Sequence, residues 1–351
     1  MSKRTADPAI TVVVVNWDRR ELLRSCLASL AGQTLAGRFE VVLVDNGSRD
    51  GSAEMAETEF GSCGKLALRV IRNETNRGFC AANNQGFAAS RSNFIALLNN
   101  DAEAEPGWLE ELLRAFEGDA RVGMAATKIL VWEDPTRIDK VGHLIYPDGQ
   151  NRGRGTGQID RGQFDEVEEV LWPDGCAAMY RREMIDEIGG FDEDFFAYAD
   201  DAELGLRARI AGWRCLYMPR AVVRHHRGAT LGVRSGARLR LIERNRVLLA
   251  VKLFPWSLLW LNGVYAAARI AAGAWAAVRG KGEAGRIEGL GAKLEAAWAL
   301  LRAEGEAMVM LPKMLRKRGE VERIRRVPPR EVKALLMAHR IGLKELMESA
   351  N

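Results

Sequence analysis

Three short apolar runs each stop on polar residues, and this repeated edge constrains the fold more than any other feature of the chain. Ile10–Val15 ends at Asn16, Phe39–Val44 ends at Asp45-Asn46-Gly47-Ser48, and Phe94–Leu98 runs into Asn99-Asn100-Asp101. Continuous runs of this length read as strands buried on both faces, the pattern of a parallel sheet covered by helices. Between the first two runs, Leu22, Leu23, Cys26, Leu27 and Leu30 mark one apolar helix face that Gly32 closes. Strand, helix and strand then form a right-handed parallel unit. Asp18 and Glu21 have the spacing of a capping box for that helix.

Open α/β sheets bind ligands outside the carboxyl ends of their strands, which makes Asp101 the first candidate for chemistry. The plainer alternative is that Asp101 caps the helix opened by Pro106. Asp45, at the end of the second strand and before a helix around Ala53–Phe60, can accept hydrogen bonds from a ribose or a base, or serve only as a turn residue. Leu66–Ile71 is a third strand. In the stretch Asn76–Phe87, Asn83–Gly86 reads as a small-residue loop that allows close backbone approach, and Arg77 with helix-terminal N–H groups can face a diphosphate. There is no GxGxxG and no Walker lysine, so neither a dinucleotide fingerprint nor a P-loop is indicated.

Leu109, Leu112, Leu113 and Phe116 mark a further helix, and Val122–Ala126 a further strand. Trp132–Trp172 is weakly periodic and reads as loops and short strands forming an acceptor-side wall. Its Gly-rich piece Asn151–Gln158 is a turn, since no strand precedes it and no helix follows. Asp200 and Glu203 have capping-box spacing ahead of a helix that runs through Arg209 to Gly212, which leaves Asp201 in the first turn. The positive helix end is expected to keep Asp201 ionised, as a base working near neutral pH requires. The alternative is that both aspartates serve the helix terminus. Adjacent His225 and His226, two of four histidines in the chain, have the chemistry of metal ligands, although a packed or exposed pair looks the same.

Taken in order, VVVVNWDRRELL, FEVVLVDNGSRDGS, NRGFCAANNQG, FIALLNNDAEAEPGWL and GGFDEDFFAYADDAELGLRARIAGW followed by AVVRHH resemble the family 2 glycosyltransferases. The likeness is to the bacterial rhamnosyltransferase-like branch and covers roughly Ile10–Gly228. It implies a GT-A fold, α/β with a mostly parallel Rossmann-like sheet flanked by helices. It also implies an inverting transfer of sugar from a nucleotide-diphosphate donor, dTDP-rhamnose first and UDP-sugars next, to a glycan or lipid-linked acceptor in cell-surface polysaccharide synthesis. A sugar nucleotidyltransferase and a non-catalytic scaffold are the alternatives. By the same resemblance Asp201 is the catalytic base with Asp200 beside it. Asn16, Asp45, Asn46, Arg77, Gly78, Asn83, Asn84, Asn100 and Asp174 contact the nucleotide sugar, and Asp101 with His225 or His226 holds Mg²⁺ or Mn²⁺. The usual DxD motif is Asn99-Asn100-Asp101 here, with one formal charge where two are common. The usual Glu-Asp pair is Asp200-Asp201.

Composition divides the 351 residues unevenly. The net charge of +4 is the sum of roughly −8 before Leu231 and roughly +12 after it, so the two parts should have different partners. We read 1–230 as the catalytic domain and 231–351 as a basic amphipathic helical tail. Within the tail, Leu253–Ala268 is shorter than a spanning helix needs. Trp256, Trp260, Tyr265 and Trp275 beside arginines suit an anionic membrane surface. A helix pair packed on the catalytic domain, or on another subunit in a homo-oligomer, is the alternative. Nucleic acid is not expected, because aromatic residues are not interleaved with the basic clusters. Five scattered cysteines without CxxC spacing and no export signal point to a cytoplasmic protein, peripheral on the inner face of the cell membrane.

Overall fold

A computed structural model describes residues 9–35, 38–226, 236–278 and 289–347. The 230/231 boundary lies outside the described residues. In chain order the elements are β1 (Ile10–Asn16), α1 (Arg20–Ala31), β2 (Phe39–Asp45), α2 (Ser52–Ala56), β3 (Leu68–Arg72), α3 (Gly78–Ala89), β4 (Phe94–Leu98), β5 (Ala102–Ala104), α4 (Trp108–Arg114) and β6 (Val122–Val131). Short strands follow, β7 (Ile138–Lys140), β8 (His143–Ile145), β9 (Asn151–Gly153) and β10 (Glu168–Glu169). Then come β11 (Ala177–Arg181), α5 (Arg182–Ile188), α6 (Asp200–Ile210), β12 (Arg214–His225), α7 (Gly236–Leu253), α8 (Trp256–Leu259), α9 (Asn262–Val278), α10 (Leu290–Ile324), α11 (Pro329–Ala338) and α12 (Leu343–Met347).

The main sheet has the order β10-β12-β6-β11-β4-β1-β2-β3, with β5 against β12 and β7 against β6. Strands β4, β1, β2 and β3 are parallel, while β11 runs antiparallel between β4 and β6. From β1 the chain moves to β2 and β3 on one side and returns to β4 on the other. The carboxyl ends of β1 and β4 therefore flank the point where strand order reverses, the place where such sheets leave a crevice.

Strand periodicity divides the core. Val12, Val14, Val41, Leu43, Ala96 and Leu98 pack into one buried cluster with α1 and α4, and Val13, Val42, Val44, Ile95 and Leu97 into the other. Alternation of side chains across the pleat separates these two sets. The second cluster also contains Leu248, Leu249 and Leu253 of α7, Phe254 just after it, Ala307, Met314 and Val321 of α10, and Val332 and Leu336 of α11. The inner faces of the C-terminal helices thus belong to the core beneath the sheet. Among the described residues no helix is long and apolar enough to cross a membrane.

The local structure corrects three expectations. Asn83–Gly86 is not a loop, because it lies inside a twelve-residue helix that begins at Gly78. It is held by tertiary packing at Gly86, where any Cβ would collide with Val13. Asp18 does not cap α1. It has a left-handed φ of 55°, and the Arg20 N–H donates instead to Asp50 Oδ2, 2.8 Å away in the following loop. The Asp200/Glu203 capping box is also absent. Asp200 is the first residue inside α6, Ala199 stands at the cap without a side-chain bond, and Glu203 is drawn to Arg207 and Lys252 by opposite charge.

Candidate active site

At the β1–β4 crevice the polar strand ends bond to one another. Asn100 Nδ2 donates to Asn16 Oδ1 at 2.7 Å, and Asn16 Nδ2 donates to Asp45 Oδ1 at 3.2 Å and to Ser48 Oγ at 3.1 Å. Asn46 shapes the entry to α3. Its Oδ1 accepts the Arg77 N–H at 3.0 Å, and its Nδ2 donates to Asn76 Oδ1 at 3.0 Å and to the Gly78 carbonyl at 3.3 Å. Arg77 is exposed at the amino end of α3, where the positive end of the helix dipole favours an anion. Asn83 and Asn84 lie inside the helix. Asn83 bonds to the Phe79 carbonyl, and Asn84 is tied to the acidic segment by the Phe191 N–H at 2.8 Å and the Phe191 carbonyl at 2.9 Å.

On the other side of the crevice, Asp101 follows β4 and His225 ends β12, whose last residues pair with β5 and so bring the two together. His225 Nε2 is 3.4 Å from Asp101 Oδ1, and His225 Nδ1 is 2.8 Å from Asp139 Oδ2. Burial works against charge on this imidazole, yet Cys176, Asp101 and Asp139 outweigh it and hold the His225 pKa well above its ordinary value. His226 turns away. Its ring stacks on Trp132 at 4.1 Å, and only its main-chain N–H reaches the Asp101 carbonyl. Asp101 Oδ1 is buried without a hydrogen-bond partner. A buried carboxylate oxygen that makes no hydrogen bond, beside an imidazole itself oriented by a second carboxylate, is a donor set that fits a divalent ion such as Mn²⁺.

A turn between β10 and β11 connects this pair to α6. Cys176 carries its thiol against His225, and its N–H donates to Asp174 Oδ1 at 2.9 Å. Asp174 Oδ2 meets Lys140 Nζ at 2.5 Å and His143 Nε2 at 2.9 Å, and His143 Nε2 is 3.4 Å from Asp201 Oδ2. Burial alone would raise the Asp174 pKa, but Lys140 and His143 hold it well below the usual carboxylate range. Ligand atoms of His143, Asp174 and Asp201 lie within 4.8 Å of one another. A metal could in principle sit there, but the Lys140 ammonium already neutralises Asp174, and a second cation at that distance would be repelled.

Asp201 does not have the low pKa expected of a helix-end carboxylate. Burial raises it, Asp174 adds to the rise, and His143 and Lys140 only partly offset it. Asp200 is pushed well above the ordinary range by burial and then by Asp201, so the pair favours a single negative charge. Of the two, Asp201 is the more accessible, its side chain 14% exposed, whereas Asp200 is buried. A carboxyl that binds protons more tightly than usual and still reaches solvent suits general base chemistry.

The backbone leading to these aspartates is strained. Phe196, Tyr198 and Ala199 have φ of 64°, 68° and 56°, a left-handed conformation that costs a non-glycine residue about 1–3 kcal/mol. Gly78, with φ +86°, abuts the Phe196 ring, and the Cys80 N–H donates to the Phe196 carbonyl. Asp139, Lys140, His143 and Cys176 were not singled out from sequence. Apart from Cys176 they fall in the weakly periodic middle, where no local pattern marks them.

A family model described as Glycosyl transferase family 2 matches residues 11–189. Among curated relatives, y4gI of Sinorhizobium fredii is 29% identical over 241 residues, 64% of this chain but only 25% of that much longer protein. An N-acetylglucosaminyl-diphospho-decaprenol L-rhamnosyltransferase of Mycobacterium tuberculosis is 27% identical over 244 residues, 64% of this chain and 78% of its own length. Among solved structures, the mannosyltransferase PcManGT of Pyrobaculum calidifontis, in complex with GDP-Man and Mn²⁺, superposes with a TM-score of 0.53 at 19% identity. That match covers 91% of this chain and 86% of the other, and shows a shared fold.

Proposed function

Because the chain belongs to glycosyl transferase family 2 and has the GT-A fold, we propose that it is a metal-dependent, inverting enzyme. It moves a sugar from a nucleoside diphosphate to a saccharide or lipid-linked acceptor of cell-surface polysaccharide synthesis. One observation carries this reading. Asp101 and Asp201, a hundred residues apart, are joined through His225, Cys176, Asp174 and His143 at one end of the sheet.

In this scheme the Asn16, Asp45 and Asn100 edge, with Arg77 and Gly78, receives the nucleotide, and Asp101 with His225 would hold Mg²⁺ or Mn²⁺. A divalent ion there offsets the charge that builds on the departing diphosphate. Asp201 removes the proton of the acceptor hydroxyl as that oxygen attacks the anomeric carbon, and a single displacement inverts its configuration. Asp174, spent on Lys140 and His143, sets the environment of the base. The rhamnosyltransferase relative favours dTDP-rhamnose, with UDP-sugars next. The test is a panel of sugar nucleotides with Mg²⁺ or Mn²⁺, scored for nucleoside diphosphate release and donor-stabilised melting. Folded protein that responds to no donor would overturn the proposal.

The C-terminal helices support a peripheral membrane position. Trp260 is 82% exposed, Trp275 61% and Trp256 51%, and Val264 and Ile270 extend the same uncovered apolar surface along α9. Arg269 of α9 faces inward instead, to Asp148 and Glu243. Tryptophan at an uncharged helix surface suits the headgroup region of a bilayer. Co-sedimentation with vesicles containing anionic lipid, lost on Trp260→Ser with Trp275→Ser, is the expected outcome. Equal sedimentation of wild type and variant would reject membrane docking through this face.

A further inference from the structure

We propose that Asn245, on α7 of the C-terminal layer, is a positioning residue for the catalytic base, so that the layer outside the matched family region is a working part of the active site. The proposal rests on the assignment of Asp201 as the base. Asn245 is fully buried, and its single side-chain nitrogen lies 2.9 Å from the Phe195 carbonyl, 2.9 Å from that of Ala197 and 2.7 Å from that of Tyr198. An amide nitrogen carries two hydrogens, so two of the three carbonyls share one donor. Arg244 orients the amide by donating from Nε to Asn245 Oδ1 at 2.9 Å, and its own Nη2 donates to the carbonyls of Asp194 and Phe195.

With the Cys80 N–H on the Phe196 carbonyl and the Glu203 N–H on that of Ala199, the six carbonyls from Asp194 to Ala199 all have donors. Two of the six, those of Ala197 and Tyr198, depend on Asn245 alone, and it shares a third, that of Phe195, with Arg244. The six residues form the segment that contains three of the five left-handed non-glycine residues among those described, and it ends at Asp200 and Asp201. Buried carbonyls that lose their donors turn toward other partners. A strained segment released in this way relaxes to ordinary φ, which rotates the first turn of α6 and moves the Asp201 carboxylate off its line to the acceptor. Aligned reacting groups are sensitive to displacements of this size. Lys252, two turns further along α7, reinforces the grip by pairing with Asp192 at 2.6 Å and Glu203 at 2.7 Å on either side of the segment.

The test uses the full-length chain with Asn245→Ala, and Asn245→Ser where alanine prevents folding. The expected result is a kcat lowered tenfold or more with the donor KM within twofold of wild type. Amide exchange across residues 194–203 should also be at least tenfold faster, with protection of β1, β2 and β4 unchanged. Ala199→Gly in the Asn245→Ala background removes one left-handed penalty and should recover part of the lost kcat. A folded variant with wild-type kcat and wild-type exchange would overturn the proposal, as would a glycine substitution that recovers nothing. If the wild type transfers no sugar, the reading of Asp201 fails, and the exchange measurement still decides whether Asn245 holds the segment.

Discussion

The two rims of the crevice are built differently. On the donor side, Asn16, Asp45 and Asn46 come from the ends of adjacent parallel strands and Asn100 from the turn after β4, so strand register alone brings their amides and carboxylates within bonding distance. On the acceptor side nothing is local. Asp201 is set by His143 from β8, by Asp174 from the turn before β11, and by an α6 entry clamped from α7. A rim made by register tolerates the loss of one hydrogen bond. A rim made by charge and long-range clamps should pass any loss on to Asp201, the proposed base.

The sharpest break of this contrast is Asp201→Asn, which should lower kcat by about 10²–10⁴-fold while leaving donor-induced melting shifts intact. A variant that keeps its rate would move the base elsewhere, with Asp200→Asn the next to measure. Second in size, Asp139→Asn removes the carboxylate behind His225 and should weaken activation by Mn²⁺ about 10–100-fold, read as the metal concentration at half-maximal rate.

A third experiment concerns pH. The base works only when ionised, so kcat should fall as pH drops through the raised pKa of Asp201. Because His143 holds that pKa down, His143→Gln should move the acid limb to higher pH, and an unmoved limb would separate Asp201 from the rate. The smallest effect is expected on the donor rim. Asn100→Ala leaves Asn16 Oδ1 without its donor at a cost of about 1–2 kcal/mol, seen as a lower Tm with kcat nearly unchanged.

Most of the sheet was legible because its strands are continuous apolar runs. Phe94–Leu98 has the bounds expected from its pattern, and Val122–Ala126 extends to Val131 only because β12 and β7 pair with its far end. Helix α3 was not legible, since Asn83-Asn84-Gln85-Gly86 has poor intrinsic helix propensity and is helical through packing on β1. Both expected capping boxes failed for a related reason: a local spacing rule lost to a partner from elsewhere in the chain, Asp50 for α1 and the Arg207–Lys252 pair for Glu203. The contact of Asp101 with His225 lay within reach of motif order. Asp139, Lys140, His143 and Asn245 act at the site through tertiary neighbours, which no window of sequence contains.

The contact of Gly78 with Phe196 has a consequence for sequence divergence. A Cβ at position 78 would come within 2.5 Å of the aromatic ring, and the ring belongs to the segment that aims Asp201. A relative that gained a side chain at 78 to suit another donor would therefore need a smaller residue at 196. Substrate preference on one rim and catalytic alignment on the other are geared together at this point and should change in step.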